Sequence, residues 1–205
     1  MTDCYDPKQD RGPVRDDGTP GFGLRERFDQ THFMMQETFH LHTLWRRVTL
    51  YEEDPSNPEG LNLSPEYQRG HVWTITQSEN FMGHLLTGGQ VPMTILRMYP
   101  SELMRADEVL DGKQRFTAIM MWLRGEISAR LGPGDYVHWS DLNAAERRWI
   151  TGISGPALQN GYVRGSQAEI LRLYVKFNRG GTVHSSAEIS RVRAMIDQLE
   201  TVSEE

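Results

Sequence analysis

The sequence is poor in several things that would otherwise direct its reading. Cys4 is the only cysteine in 205 residues. One thiol can form neither an internal disulfide nor a Cys-rich zinc site, which suits a reducing cytoplasm. It lies in a Gly/Pro/Asp-rich stretch with no neighbour to position it as a nucleophile. Apolar runs are short. None approaches the roughly 18 residues that a transmembrane helix requires, and the N-terminal MTDCYDPKQDRG has no apolar signal core. A cytoplasmic location is the expectation. Positive charge is also scarce, with 28 Asp and Glu against 22 Lys and Arg, a net −6. Such a chain has no basic field to hold nucleic acid indiscriminately, so any contact with it is local, transient and salt-sensitive. No GxxxxGK[ST] loop occurs, which excludes a Walker-type kinase or ATPase.

What is present describes an α+β domain. The chain is 38% hydrophobic and 24% charged, the balance of an ordinary globular protein. Residues 1–27, rich in Gly, Pro, Asp and Arg, read as a flexible arm, and residues 28–205 as one domain. The stretch from Phe28 to Tyr51 suggests a helix followed by a strand. Thr76 and Glu79 have capping-box spacing, and Phe81, Leu85 and Leu86 supply an apolar face ended by Gly88 and Gly89. MTILRMY reads as a strand, and most of Arg105 to Leu110 as another. Phe116, Ile119, Met120 and Leu123 then recur with helical period. Further cap pairs are Asn143 with Glu146, Ser166 with Glu169, and Ser185 with Glu188. The helix after Ser166 is expected to stop at Gly180-Gly181. The last one places Ile189, Val192, Ile196 and Leu199 on one face, and TVSEE frays beyond it.

The stretch EVLDGKQRFTAIMMWLRG, Glu108 to Gly125, crowds polar groups where a strand delivers into a helix. The first turn of a helix has unpaired N–H groups and the positive end of a dipole, so anions settle there. Gly112 permits close backbone approach, Arg115 offers a planar fork to phosphate or carboxylate, and Lys113 adds a point charge. Asp111 could bind magnesium, accept a proton from an attacking hydroxyl, or cap the helix. Taken alone, the arrangement also suits plain capping chemistry.

Two more polar clusters occur. PEYQRGHVW, Pro65 to Trp73, presents Glu66, Gln68, Arg69 and His71 ahead of a helix, and KFNRGGT, Lys176 to Thr182, presents Asn178 and Arg179. Singly, Arg69 reads as a surface salt-bridge partner, Asn178 as a helix-end residue, and His71 as a packed or exposed histidine rather than a ligand.

In order, YQRxxVW, a helix, a Pro-containing strand, DGxQR opening a helix, and FNxGGT resemble the ParB/sulfiredoxin-like domain at the N terminus of GmrSD-type restriction proteins. The central motif there usually reads DGQQR; here Lys113 replaces its first glutamine. The resemblance spans roughly Leu61 to Ile189. It implies a small mixed sheet with flanking helices, whose motif loops line one nucleotide-phosphate pocket. Relatives in the wider superfamily hydrolyse CTP or transfer a phosphoryl group from ATP. Carried over by position, Asp111, Gln114 and Arg115 would form the phosphate and catalytic site, with Gly112 and Lys113 beside them, Gln68 and Arg69 facing it from the earlier loop and Asn178 from the later one. Asp111 or Glu66 would be the base or magnesium ligand, with Asp111 the expected metal ligand. The implied cofactors are ATP or another NTP with Mg2+.

The chain ends about where the family domain ends, which leaves the nuclease domain of restriction members without room. The leading expectation is therefore a nucleotide-dependent phosphotransferase acting on DNA. Its specific form is a kinase of 5-hydroxymethyluracil in bacteriophage base hypermodification, working in the host cytoplasm on a flipped base. RGHVW and the arm's Arg11, Arg15, Arg25 and Arg27 would touch DNA phosphates. The alternatives are an NTPase or sensor subunit of a restriction or anti-phage system, and a nucleotide-gated DNA-binding module.

Overall fold

The computed structural model describes residues 35–68, 70, 72–99, 103–177 and 186–202. It is an α+β fold. In chain order the elements are β1 (Met35–His40), α1 (Leu41–Glu53), β2 (Leu61–Asn62), α2 (Ile75–Leu86), β3 (Thr94–Arg97) and β4 (Asp107–Asp111). There follow α3 (Lys113–Leu123), β5 (Ala129–Gly132), β6 (Asp135–Val137), α4 (Ala144–Thr151), β7 (Ala157–Val163), α5 (Gln167–Phe177) and α6 (Ser186–Val202).

Five strands form a mixed sheet in the order β1-β7-β3-β4-β2, and β5-β6 make a separate hairpin. β1 runs antiparallel to β7, β7 parallel to β3, β3 antiparallel to β4, and β4 parallel to β2. Successive side chains along a strand point to opposite faces, and here both faces are covered. Leu96, Val109 and Tyr162 enter one apolar cluster with Leu44, Met82, Phe116 and Trp122 of α1, α2 and α3. Their strand neighbours Ile95, Leu110 and Val163 enter a second cluster with Ile170, Tyr174, Val192 and Ile196 of α5 and α6.

Helix α3 forms as its spacing predicts: Phe116, Ile119, Met120 and Leu123 are all buried. The Asn143–Glu146 capping box is present, with Glu146 N–H donating to Asn143 Oδ1 at 3.0 Å and Asn143 N–H to Glu146 Oε2 at 2.7 Å. Ser166 N–H donates to Glu169 Oε2 at 2.7 Å. Helix α2 ends before Gly88, whose φ of +81° is a conformation that suits glycine. Gly180, Gly181, Ser185, the side chain of Glu188, and residues 1–34 and 203–205 lie outside the described residues. Among the described residues, no helix is long and apolar enough to cross a membrane.

Two expectations are corrected. Of the segment from Phe28 to Tyr51, the described residues 35–51 form a strand and then a helix, the reverse of the order expected. Leu41, Leu44 and Val48 bury at helical spacing, whereas β1 buries Phe39 and leaves Gln36, Glu37 and Thr38 exposed at the sheet edge. The cap of α2 is Thr74 with Gln77, not Thr76 with Glu79. Gln77 N–H donates to Thr74 Oγ1 at 3.2 Å and Thr74 N–H to Gln77 Oε1 at 2.8 Å. Glu79 instead accepts from the Ser128 hydroxyl, tying α2 to the residue before β5.

Candidate functional site

Strand β4 ends at Asp111, Gly112 turns the chain, and α3 begins at Lys113. Gly112 is the N-cap, with φ +105° and no side-chain capping bond. A Cβ there would lie 2.4 Å from Thr94 Cγ2 and 2.9 Å from Thr94 Cβ, so dihedral and space both demand glycine. Thr94 is itself fully buried, and its hydroxyl donates to the equally buried Asn160 side chain on β7. Asn160 Nδ2 in turn donates to Leu158 O at 3.1 Å. A polar prop through the sheet thus supports the turn from below.

Asp111 does not cap the helix. Its carboxylate accepts from Arg115 Nη2 at 2.8 Å, an i,i+4 ion pair across the turn. Arg115 Nη1 donates to the Pro92 carbonyl. The arginine side chain is only 12% exposed while that of Asp111 is 40% exposed. Arg115 therefore works from inside as a clamp, and the acid is what solvent meets. Lys113 is buried, 9% exposed, and burial lowers its pKa. Its stem is turned into the protein instead of standing in solvent as a point charge.

The two glutamines bring the first motif loop to this turn. Gln114 Oε1 accepts from Val72 N–H at 2.9 Å and Trp73 N–H at 3.2 Å, and its Nε2 donates to Gly70 O at 3.4 Å. Gln68 Nε2 donates to Val109 O and, at 3.1 Å, to Leu110 O. Each amide satisfies backbone groups that sheet and helix leave over. Glu66, in the same loop, has an exposed side chain, and its carbonyl accepts from Arg191 Nη2 of α6 at 3.1 Å. Arg69, His71, Asn178 and Arg179 lie outside the described residues.

Sequence reasoning passed over the polar layer behind the turn. Tyr67 of the YQR motif is buried; its hydroxyl donates to Glu108 Oε2 at 3.2 Å and its ring meets Tyr174 edge-on at 5.4 Å. Glu108 also pairs with Arg97 at 3.4 Å, and Arg97 stacks over Tyr99 at 4.3 Å. Burial, reinforced by the Glu108 carboxylate, raises the Tyr67 phenol well above its ordinary value and pushes Tyr99 up to about 12. Asp107 pairs with Arg47 at 2.7 Å, yet burial outweighs the arginine and raises the carboxyl. Two acids in succession within an apolar strand are a signal that both are paired, since unpaired charges are not buried there.

Among the described residues, no three His, Cys, Asp or Glu side chains gather to hold a metal ion. The donor set at the turn is one carboxylate, Asp111. That suits magnesium shared with substrate phosphates and not an all-protein cage.

A family model described as "GmrSD restriction endonuclease, N-terminal domain" matches residues 54–160, more than half of the chain. The chain belongs to the GmrSD N-terminal domain family. Within the matched span fall the YQR loop, the Pro92 segment, β4, the Gly112 turn and all of α3. The family thus covers both halves of the glutamine-locked junction, while α5 and α6 lie beyond the match. No curated protein and no solved structure matches the chain.

Proposed function

We propose that the β4–α3 junction handles the phosphates of a nucleoside triphosphate, and that this GmrSD-type domain performs nucleotide-dependent phosphoryl chemistry in a restriction or anti-phage role on DNA. The observation that carries the reading is a half-exposed carboxylate, Asp111, held by a largely covered arginine beside a helix start that only a glycine caps. The first-turn N–H groups of α3 would meet the phosphate oxygens, and the bare Gly112 lets them approach. Arg115, already committed to Asp111 and Pro92, orients the acid more than it reaches for the ligand. Gln68 and Gln114 fix the loop that closes the site, with Glu66 on its exposed edge.

With water as acceptor, Asp111 takes its proton as the water oxygen bonds to the γ-phosphorus, the bond to the β,γ-bridging oxygen breaks, and nucleoside diphosphate and phosphate leave. A Mg2+ ion bound by Asp111 and the phosphates would supply charge neutralisation. The finer form of the proposal replaces water with the hydroxyl of a hydroxymethylated DNA base such as 5-hydroxymethyluracil. The 40% exposure of Asp111 leaves room for so large an acceptor.

Incubating the protein with γ-labelled ATP, GTP or CTP, Mg2+, and DNA with or without hydroxymethyl bases separates the forms. Label released as phosphate supports hydrolysis, and label in DNA supports the kinase. Nucleotide bound without turnover reduces the reading to a gated DNA-binding module. Absence of nucleotide binding overturns it, as does full activity in both Asp111→Ala and Arg115→Ala.

A further inference from the structure

A concave site lies at the far end of α3, about 16 Å along an 11-residue helix from the Gly112 turn. It is a cavity of about 190 Å3 lined by His42 and Trp45 of α1, Leu123 of α3, Trp139, and Thr151 of α4. That volume is below the roughly 300–1,000 Å3 of drug-sized sites and equals about six waters. A ring fits there; a whole nucleotide does not.

Its walls are aromatic and fixed. Trp139 packs edge-on against the fully buried Trp122 at 5.3 Å, and Trp122 Nε1 donates to Val137 O at 3.0 Å. The Arg147 guanidinium lies 5.4 Å from the Trp139 ring centre, and that of Arg124 lies 5.8 Å from the Trp45 ring centre. Two rings around a small cavity would ordinarily suggest a cage for a cationic ligand. Two guanidiniums already at those rings argue against one. Arg124 is neutralised by Glu52 at 2.5 Å, whereas Arg147 pairs with no carboxylate among the described residues and donates to the Ser140 carbonyl. The His42 side chain is exposed at the rim and has no hydrogen-bond partner among the described residues. It can donate or accept at the edge of a ring, as the Thr151 hydroxyl can accept.

We infer that this cavity is a binding site for a planar nitrogen heteroaromatic of purine size, stacked on Trp45 or Trp139 and read at its edge by His42. The site stands apart from the junction and independently of the phosphoryl reading. Stacking supplies the affinity, and the imidazole distinguishes a heterocycle from a hydrocarbon ring.

The test is a titration of the full chain with adenine, the hydrocarbon indene and tetramethylammonium, read by quenching of tryptophan fluorescence. Adenine is expected to quench saturably, with half-saturation at or below about 1 mM. H42A should weaken adenine about 3- to 10-fold, one hydrogen bond's worth, with little effect on indene. Thr151→Trp, which fills the cavity from a half-buried position, should abolish saturation. Asp111→Asn should bind adenine as the wild type does. The inference is overturned by unsaturable quenching, by saturation that survives Thr151→Trp, or by tetramethylammonium binding better than adenine. It also fails if adenine and indene bind alike and are equally unaffected by H42A, or if Asp111→Asn abolishes adenine binding.

Discussion

Strand β4 carries three carboxylates, and each is paired with an arginine, yet they do different work. Asp107 and Glu108, at its start, are each 8% exposed and tied to Arg47 and Arg97. Asp111, at its end, is tied to Arg115 but has a side chain 40% exposed. Pairing alone therefore does not set the proposed working acid apart; its exposure does, since Arg47 and Arg115 have side chains 13% and 12% exposed while Asp107 and Asp111 have 11% and 40%. At the start of the strand both members are desolvated, and phenols of Tyr67 and Tyr162 complete their shells. At the end the arginine is largely covered and the acid faces out, an arrangement that uses a cation to present an anion.

Breaking the comparison at its buried end should have the largest effect. Arg97→Ala leaves the desolvated Glu108 with only the exposed Arg105, 4.0 Å away, and should cost about 3 kcal/mol, read as a drop in urea midpoint. Loss below about 1 kcal/mol would mean that the buried pair is a bystander.

The turn between the two regimes comes next. Gly112→Ala meets Thr94 at 2.4 Å in a left-handed dihedral and should cost about 2–3 kcal/mol, with the proposed nucleotide binding lost as the turn moves. Thr94→Ser removes the methyl that a Cβ would strike, so in that background the stability cost should shrink measurably.

The buried phenols supply a pH signature that the exposed end lacks. Tyr67, Tyr99 and Tyr162 all have folded pKa values raised by burial, Tyr99 to about 12. The unfolded phenols ionise first, near their ordinary value of about 10. The contribution is therefore complete below pH ~10 and is lost as pH climbs through about 12, so stability falls across that window. Tyrosinate absorbance should rise together with unfolding there. Three phenols ionising near pH ~10 in a still-folded protein would contradict the burial.

Smaller again is Gln114→Ala, which removes the acceptor for Val72 and Trp73 N–H groups and should cost about 1–2 kcal/mol. Its sharper readout is local: amide exchange over residues 70–73 should accelerate while that of α3 stays unchanged. Uniform acceleration would show that the loop is not held by this side chain.

The unequal legibility of the two regions in the sequence has the same cause. Helix α3 and the Asn143 cap were readable because their signals are local, a period of 3.6 and a pair three residues apart. Strand β7 was not: Gln159, Asn160 and Gly161 interrupt its apolar pattern, and its partners β1 and β3 lie far off in sequence. The order of β1 and α1 was inverted because an edge strand burying Phe39 leaves almost no alternation to detect. At the site, composition and order led to Asp111 and Gly112. They could not show that both glutamine amides are occupied by backbone, Gln114 by the loop and Gln68 by β4, or that Lys113 turns inward, because polarity by itself suggests exposure. Glu108 went unread as a site neighbour since only the fold brings Tyr67 and Arg97 to it.

The central claim is that Asp111 is the working acid while its neighbours on β4 are structural. Asp111→Asn keeps the shape and an acceptor for Arg115, so its melting temperature should stay within a few degrees of wild type. The most direct test is phosphate release from γ-labelled NTP with Mg2+ and DNA by the two proteins, their melting curves measured alongside. The account predicts a fall of about 10²–10⁴-fold in turnover with stability nearly unchanged. Undiminished turnover in Asp111→Asn, or a loss of activity that merely follows a loss of stability, would contradict it.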